Sequence, residues 1–361
     1  MQSALYVNSR FLTQPLSGVQ RFATEITSAI GRVWSANDVS RPILLTPAAA
    51  LIADGPGDLE RQFVGRRQGQ IWEQIDLPRR ARDGVLLNLG NTAPIMGRRQ
   101  LVVLHDAGIF SQPDAYSWRF RLWYRVLHNL LLRTRSRLVT VSEFSRGELA
   151  RHLGVVAERF AVIPEGADHI SRLAADHAVL ARHGLATERY VLVVGNLAPH
   201  KNLASLGVLA RMLAARDIAL VITGALNRSV FNGQDGITLP APAHYIGRVS
   251  DTELCALYQN AACFVFPSRY EGFGLPAVEA MACGCPVVAS SIPALREVCA
   301  DAALYAHPDD PVAIASTVAR VIDTPGLAQD MRMKGMARAA GFTWDKAARA
   351  LLDLVHDREA A

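Results

Sequence analysis

Short apolar runs alternate with helical patterns from one end of this chain to the other, and no other feature limits the fold so strongly. Short apolar runs bounded by turn residues read as strands buried on both faces. Such strands lie in parallel sheets covered by helices. In the first half the strand candidates fall at residues 4–8, 42–46, 85–89, 101–105, 138–142 and 160–163. In the second half they fall at 190–195, 219–223, 244–246, 263–267, 286–289 and 303–305. The predicted fold class is α/β, with two Rossmann-like domains, each long enough to bury its own core. One domain spans residues 1–170 and the other 186–340, with the hinge in the stretch from Pro164 to about Glu188. Ligands of open α/β sheets bind beyond the carboxyl ends of the strands, so two facing sheets make the cleft between them the default site.

Composition narrows the function classes. No apolar run is long enough to cross a bilayer, and the first residues read as a strand instead of a secretory signal, which predicts a cytoplasmic protein. The five cysteines, Cys255, Cys263, Cys283, Cys285 and Cys299, form no C-x-x-C pair, and no D-x-D motif occurs. Buried free thiols are therefore expected, with no metal and no cofactor. A formal charge of +5 and a pI near 9.1 suit phosphate-bearing substrates or an anionic membrane surface. No nucleic-acid recognition motif with interleaved aromatics is present, so no nucleic-acid partner is expected.

The most informative stretch runs from Pro267 through Glu271, Gly272, Phe273, Gly274, Leu275 and Pro276 to Glu279 and Ala282, directly after an apolar strand. Gly272 and Gly274 allow backbone to approach a ligand closely. Pro276 is placed as the first helical residue, where its missing N–H costs nothing. The N–H groups of Phe273, Gly274 and Leu275 would then face the cleft at the positive end of a helix, a seat for a diphosphate. Carboxylates only accept hydrogen bonds, so Glu271 and Glu279 would grip sugar and ribose hydroxyls, not phosphate oxygens. Either glutamate alone would read as a solvated surface residue. Their combination with the glycines and the proline points to a site.

A second loop, Gly195-Asn196-Leu197-Ala198-Pro199-His200-Lys201-Asn202, follows a strand and opens a helix. Lys201 can project into the cleft and neutralise charge on a leaving diphosphate. A third, Gly247-Arg248-Val249-Ser250-Asp251-Thr252-Glu253, carries a capping box, Ser250 with Glu253 three residues on. Gly224, after another strand, is placed to line the same nucleotide cleft. In the first half, Gly18 opens a helix, and His105 ends a strand at the cleft side. Asn88, Asn91, Ser142 and Glu143 are further strand-end polar groups on that side.

The E-x7-E spacing of Glu271 and Glu279, within E-G-F-G-L-P-A-V-E-A-M-A, resembles the signature of family 4 glycosyltransferases, of the GT-B fold. The resemblance extends through features over nearly the whole chain and includes bacterial polysaccharide mannosyltransferases. It implies that Glu271 lies by the donor sugar, that Glu279 binds the ribose, and that Lys201 meets the leaving diphosphate. It places the backbone at Arg248 and Val249 by the nucleobase, Gly18 by the donor phosphate, and His105 beside the donor sugar. Residues 341–361 would form a helix packing back toward the first domain. This chain departs from the pattern in three places. Asn196 and His200 stand where arginine is common, and Glu165 stands where asparagine is usual.

The implied activity is retaining, metal-independent transfer from a nucleotide-diphosphate sugar, leaning to GDP-mannose, onto a lipid-linked saccharide. A segment from Trp118 to Arg137, rich in arginine and aromatics and free of acidic residues, suits an anionic bilayer surface or a core-facing helix. Peripheral attachment to the inner face of the plasma membrane would bring a lipid-linked acceptor within reach. Two rival readings use the same fold: a nucleotide-sugar epimerase, or a catalytically silent nucleotide-sugar-binding membrane adaptor.

Overall fold

A computed structural model describes residues 4–35, 40–48, 56–113, 116–187, 189–196, 198–224 and 239–359. Glu188 and Leu197, named above, lie outside the described residues. The chain folds as two compact units, one made of Met1–Phe110, Trp118–Gly166 and Trp344–Ala361, the other of Ser111–Ser117 and Ala167–Thr343.

Among the described residues the first unit holds seven strands: β1 (Ala4–Asn8), β2 (Ile43–Pro47), β3 (Glu60–Val64), β4 (Gly84–Asn88), β5 (Gln100–Val103), β6 (Arg137–Thr140) and β7 (Phe160–Val162). All pair in parallel in the order β3-β2-β1-β4-β5-β6-β7. The central strands β4 and β5 are buried at every residue, as expected of strands covered on both faces. The sequence reading missed β3. Its residues, Glu-Arg-Gln-Phe-Val, include no buried position, because β3 is an edge strand paired to β2 alone. An edge strand needs only its ladder hydrogen bonds, not an apolar run.

Several strand-end polar groups of this unit that sequence offered for the acceptor side make hydrogen bonds within the unit. Asn88 is fully buried, and its amide links Asn8 Nδ2 (3.0 Å) to Gln100 Oε1 (3.2 Å). Asn91 takes a left-handed φ of +64° and accepts the His105 backbone N–H at 2.7 Å. Ser142 caps the helix Glu143–Leu153 by accepting from Ser145 N–H. The closing helix, Trp344–Glu359, packs on the helix Gly18–Val33 of the same unit. Trp344, Ala348 and Leu351 are fully buried there, with the Phe22 and Trp344 rings 5.6 Å apart. Burial of Leu351 alone contributes about 1.5–3 kcal/mol. The exposed Arg32–Asp345 pair at 2.7 Å adds about 0–1 kcal/mol.

The second unit holds β8 (Tyr190–Val194), β9 (Ala219–Thr223), β10 (His244–Tyr245), β11 (Cys263–Phe266), β12 (Val287–Ser290) and β13 (Ala303–Ala306). They too are parallel throughout, in the order β10-β9-β8-β11-β12-β13. The chain winds outward from β8 to one edge, then returns to lay β11 on the other side of β8. Loops after β8 and β11 therefore diverge over a switch point, where such sheets bind ligands. Cys255, Cys263, Cys285 and Cys299 are buried free thiols and Cys283 is half-buried.

Candidate active site

Loops at the carboxyl edge of the second sheet bring together residues far apart in sequence. After β8, the short 3-10 turn Pro199–Lys201 ends at Asn202, whose left-handed φ of +59° turns the chain. Lys201 thus closes a tight turn, where the sequence suggested the start of a helix. Its Nζ lies 2.6 Å from Glu271 Oε1, in the loop after β11, and 5.1 Å from the centre of the Phe266 ring. Both side chains are largely buried, at 14% and 12% exposure.

Asn202, which sequence reasoning overlooked, holds these loops in register. It is buried, and its Nδ2 donates to Pro267 O at 3.1 Å and to Pro308 O at 2.7 Å. The His200 carbonyl accepts from Arg269 N–H at 2.8 Å, a second tie between the same two loops. An asparagine just after Lys201 was a usable signal, since asparagine tolerates left-handed backbone better than most residues.

The loop after β11 leads into the helix Leu275–Ala282 through Gly274 at φ +95°. That φ favours glycine, and a Cβ there, 2.4 Å from Leu295 Cδ2, would also force that methyl to shift. Pro276 is the second helical residue, one position later than sequence placed it, and no side chain caps this helix start. Pro276 has no N–H and the Ala277 N–H donates to Gly274 O at 2.9 Å, so what this helix start offers a ligand is its uncapped positive dipole end at Leu275.

Glu279, on the same helix, is buried. Its Oε1 lies 3.0 Å from His169 Nε2, and the Tyr258 hydroxyl stands 3.5 Å from its Oε2. Burial first, and then the Glu279 charge, hold the Tyr258 phenol well above its usual range. Nothing in the sequence flagged His169 or Tyr258, because neither lies near Glu279 along the chain.

The other strand ends form a glycine floor. Gly195 N–H donates to Thr223 O at 3.0 Å, and Gly224 N–H donates to Gly247 O at 3.0 Å. A Cβ on Gly224 would come within 1.8 Å of Gly195 O, so the ends of β8 and β9 approach as only glycine permits. Arg248 is exposed beside this floor and Val249 half-buried. The capping box is formed: Ser250 Oγ accepts from Glu253 N–H at 3.2 Å, and Glu253 Oε2 accepts from Ser250 N–H at 2.7 Å. The Ser250 N–H, and then Arg182, draw the Glu253 carboxyl down to about 2.

Two positions where arginine was expected behave differently. Burial, reinforced by the Lys201 charge, pushes His200 down to about 4, so it adds no second cation near neutral pH. Asn196 is half-buried, and its Oδ1 has no hydrogen-bond partner among the described residues.

In the first unit, Gly18 begins the helix Gly18–Val33, and a Cβ there would meet nothing within 4 Å. Internal packing therefore does not account for this glycine. His105 is buried at 4% exposure, with Nε2 3.0 Å from Leu89 O and Nδ1 3.5 Å from Glu165 Oε1. Both ring nitrogens thus have protein partners. Glu165, given no role from sequence, is one of them.

Comparison with known proteins bears on this arrangement. Residues 180–338, which carry Lys201, Glu271 and Glu279, match the family described as "Glycosyl transferases group 1". The chain is 33% identical to the O-antigen chain mannosyltransferase B of Escherichia coli over 261 residues, 68% of this chain and 67% of that protein. The chain belongs to the group 1 glycosyl transferases. A second relative of this transferase, the O-antigen chain mannosyltransferase RfbU of Salmonella typhimurium, is 28% identical over 252 residues, 67% of this chain and 68% of the other. The fold of the transferase resembles that of WaaG, a glycosyltransferase involved in lipopolysaccharide biosynthesis. The TM-score is 0.69 at 15% identity, covering 98% of each chain. It is the GT-B fold of two Rossmann-like domains.

The transferase also carries the basic aromatic helix Trp118–Leu132. Leu127, His128 and Leu131 face the core, while Trp118 is 66% and Leu122 53% exposed. A groove of about 220 Å³ lies among Ile109, Phe110, Trp118, Arg121, Leu122 and Arg125. No helix among the described residues is long and apolar enough to cross a membrane.

Proposed function

We propose that this enzyme is a retaining hexosyltransferase that moves mannose from GDP-mannose to a hydroxyl of a lipid-linked saccharide in bacterial polysaccharide assembly. The observation that carries the reading is the Lys201–Glu271 pair at the switch point of the second sheet. It stands where a nucleotide sugar would meet a lysine, a carboxylate and a bare helix start together. The second unit takes the donor: the helix start at Phe273, Gly274 and Leu275 receives the diphosphate, and Glu279 receives the ribose. Gly224, Arg248 and Val249 border the nucleotide, with Asn196 beside the phosphates. The first unit takes the acceptor, with Gly18 and His105 on that side of the reaction.

In the reaction the anomeric C–O bond to the diphosphate breaks and its electron pair leaves on the phosphate oxygen. Lys201 and the helix start stabilise that charge. The acceptor oxygen bonds to the anomeric carbon on the same face, and its proton passes to the departing phosphate oxygen. Glu271 orients the sugar and holds Lys201 in place without forming a covalent bond. The O-antigen mannosyltransferase relatives support the choice of mannose and of a saccharide acceptor. The exposed Trp118–Leu132 helix supports docking on an anionic bilayer, from which a lipid-linked acceptor is reached.

A calorimetric screen of UDP, GDP, ADP and dTDP with their common sugar conjugates tests the donor. GDP and GDP-mannose are expected to bind and to raise the unfolding midpoint. Preference for another nucleotide rejects GDP-mannose, and no binding at millimolar concentration rejects the donor site. Retention is read from the anomeric configuration of the product by NMR.

A further inference from the structure

Both carboxylates of the E-x7-E loop are already partnered, Glu271 by Lys201 and Glu279 by His169. The second pairing is the less expected, because His169 comes from the short turn Asp168–Ser171, 110 residues away in sequence. His169 and Glu279 are both buried, with side chains 7% and 9% exposed. An ionised carboxylate has no proton to donate, so His169 Nε2 bears the hydrogen and donates across the 3.0 Å contact. Tyr258, fully buried, approaches the other oxygen at 3.5 Å and also lies 3.3 Å from Pro276 O. The Tyr258 hydroxyl has one proton for these two acceptors, so His169 is the firmer hold on the Glu279 carboxylate.

We propose that His169 is a positioning residue: it fixes the Glu279 carboxylate so that it meets ribose hydroxyls, and thereby sets a preference for ribonucleotide over deoxyribonucleotide donors. The proposal rests on the reading that Glu279 binds the ribose. One N–H occupies a single lone-pair site of Oε1, leaving acceptor capacity on both oxygens for a vicinal diol. The same N–H offsets negative charge on a carboxylate that has to sit near a diphosphate. Without it, Glu279 is free to leave its rotamer, and the diol loses a preorganised acceptor.

The test is calorimetric titration of the full chain with GDP, UDP and their 2′,3′-dideoxy counterparts, carrying forward whichever nucleotide binds the wild type. Wild type should favour the ribonucleotide, and Glu279→Ala, which keeps no acceptor, should lose that preference. His169→Ala should lower ribonucleotide affinity about tenfold, as expected for a hydrogen bond to a charged group, with dideoxynucleotide affinity unchanged. His169→Gln, which can return an N–H to the Nε2 position, should restore most of the preference. His169→Asn is too short to reach and should behave like His169→Ala, providing a second variant if the alanine form does not fold. Equal weakening of ribo- and dideoxynucleotide would mean a purely structural His169 and would overturn the proposal. So would an intact preference in His169→Ala alongside its loss in Glu279→Ala, with the ribose reading left standing. An intact preference in Glu279→Ala removes the ribose reading and the proposal together.

Discussion

Replacing Lys201 by methionine should damage stability and turnover through separable mechanisms, and a double-mutant cycle with Glu271→Gln can tell them apart. At the observed 2.6 Å, the gross attraction of two unit charges is about 6 kcal/mol with an effective dielectric near 20. Desolvation of two largely buried groups cancels much of this. Leaving Glu271 alone is nonetheless expected to cost about 3 kcal/mol, the low end for breaking a buried pair, because each side chain keeps some solvent contact. Glu271→Gln should cost about 2 kcal/mol, since its amide oxygen can still accept from Lys201. The double variant should also cost about 2 kcal/mol, which gives a coupling of about 3 kcal/mol by denaturant unfolding. Turnover should behave differently. Lys201→Met should lower kcat about 10²- to 10³-fold, the scale for losing one preorganised charge-stabilising group. The double variant should not recover it. A coupling below about 0.5 kcal/mol would refute the ion pair as a structural unit. Recovered turnover in the double variant would refute the role of Lys201 in stabilising the leaving group.

Gly224→Ala should unfold or aggregate the protein, because its Cβ would stand 1.8 Å from a backbone oxygen; Gly18→Ala, with open space, should keep the wild-type thermal midpoint while lowering transfer. His128 and His200 are each lowered by burial from 6.5 to about 4, so the folded chain binds fewer protons than the unfolded chain between those values. Stability should therefore fall as pH drops from 6.5 toward 4. The fully buried His128 alone accounts for about 2 kcal/mol at pH 5. The denaturant midpoint at pH 5 should lie below that at pH 7, and His128→Gln should shrink the gap; an unchanged gap would count against a buried neutral His128. Replacing Arg119, Arg121 and Arg125 together should abolish sedimentation with anionic vesicles, and intact binding in the folded variant would remove the membrane role.

Much of the fold was legible because local periodicity carries it. Twelve of the thirteen strands among the described residues came from apolar runs, and the exception, β3, is a polar edge strand whose pairing needs no apolar face. Loop backbone geometry was legible for a similar reason. Glycine and proline at Gly274 and Pro276 report backbone requirements that act within a few residues. Less visible were the polar residues turned inward. Asn88 and Ser142 have the composition of ligand contacts, but one links a buried amide network and the other caps a helix. A polar side chain at a strand end looks the same in sequence whether it meets a substrate or a neighbouring amide.

The sequence by itself determined that this chain builds parallel sheets, and it offered Lys201, Glu271 and Glu279, in segments that follow strands, as candidates for the chemistry. Only the tertiary structure decided their partners: Lys201 with Glu271 across 70 residues, His169 with Glu279 across 110, and Asn202 spanning to Pro267 and Pro308. Periodicity arises from interactions of each residue with its immediate neighbours and with a face of the core. Pairings over such separations depend on strand order and on how loops cross the sheet edge, which only the packed chain specifies.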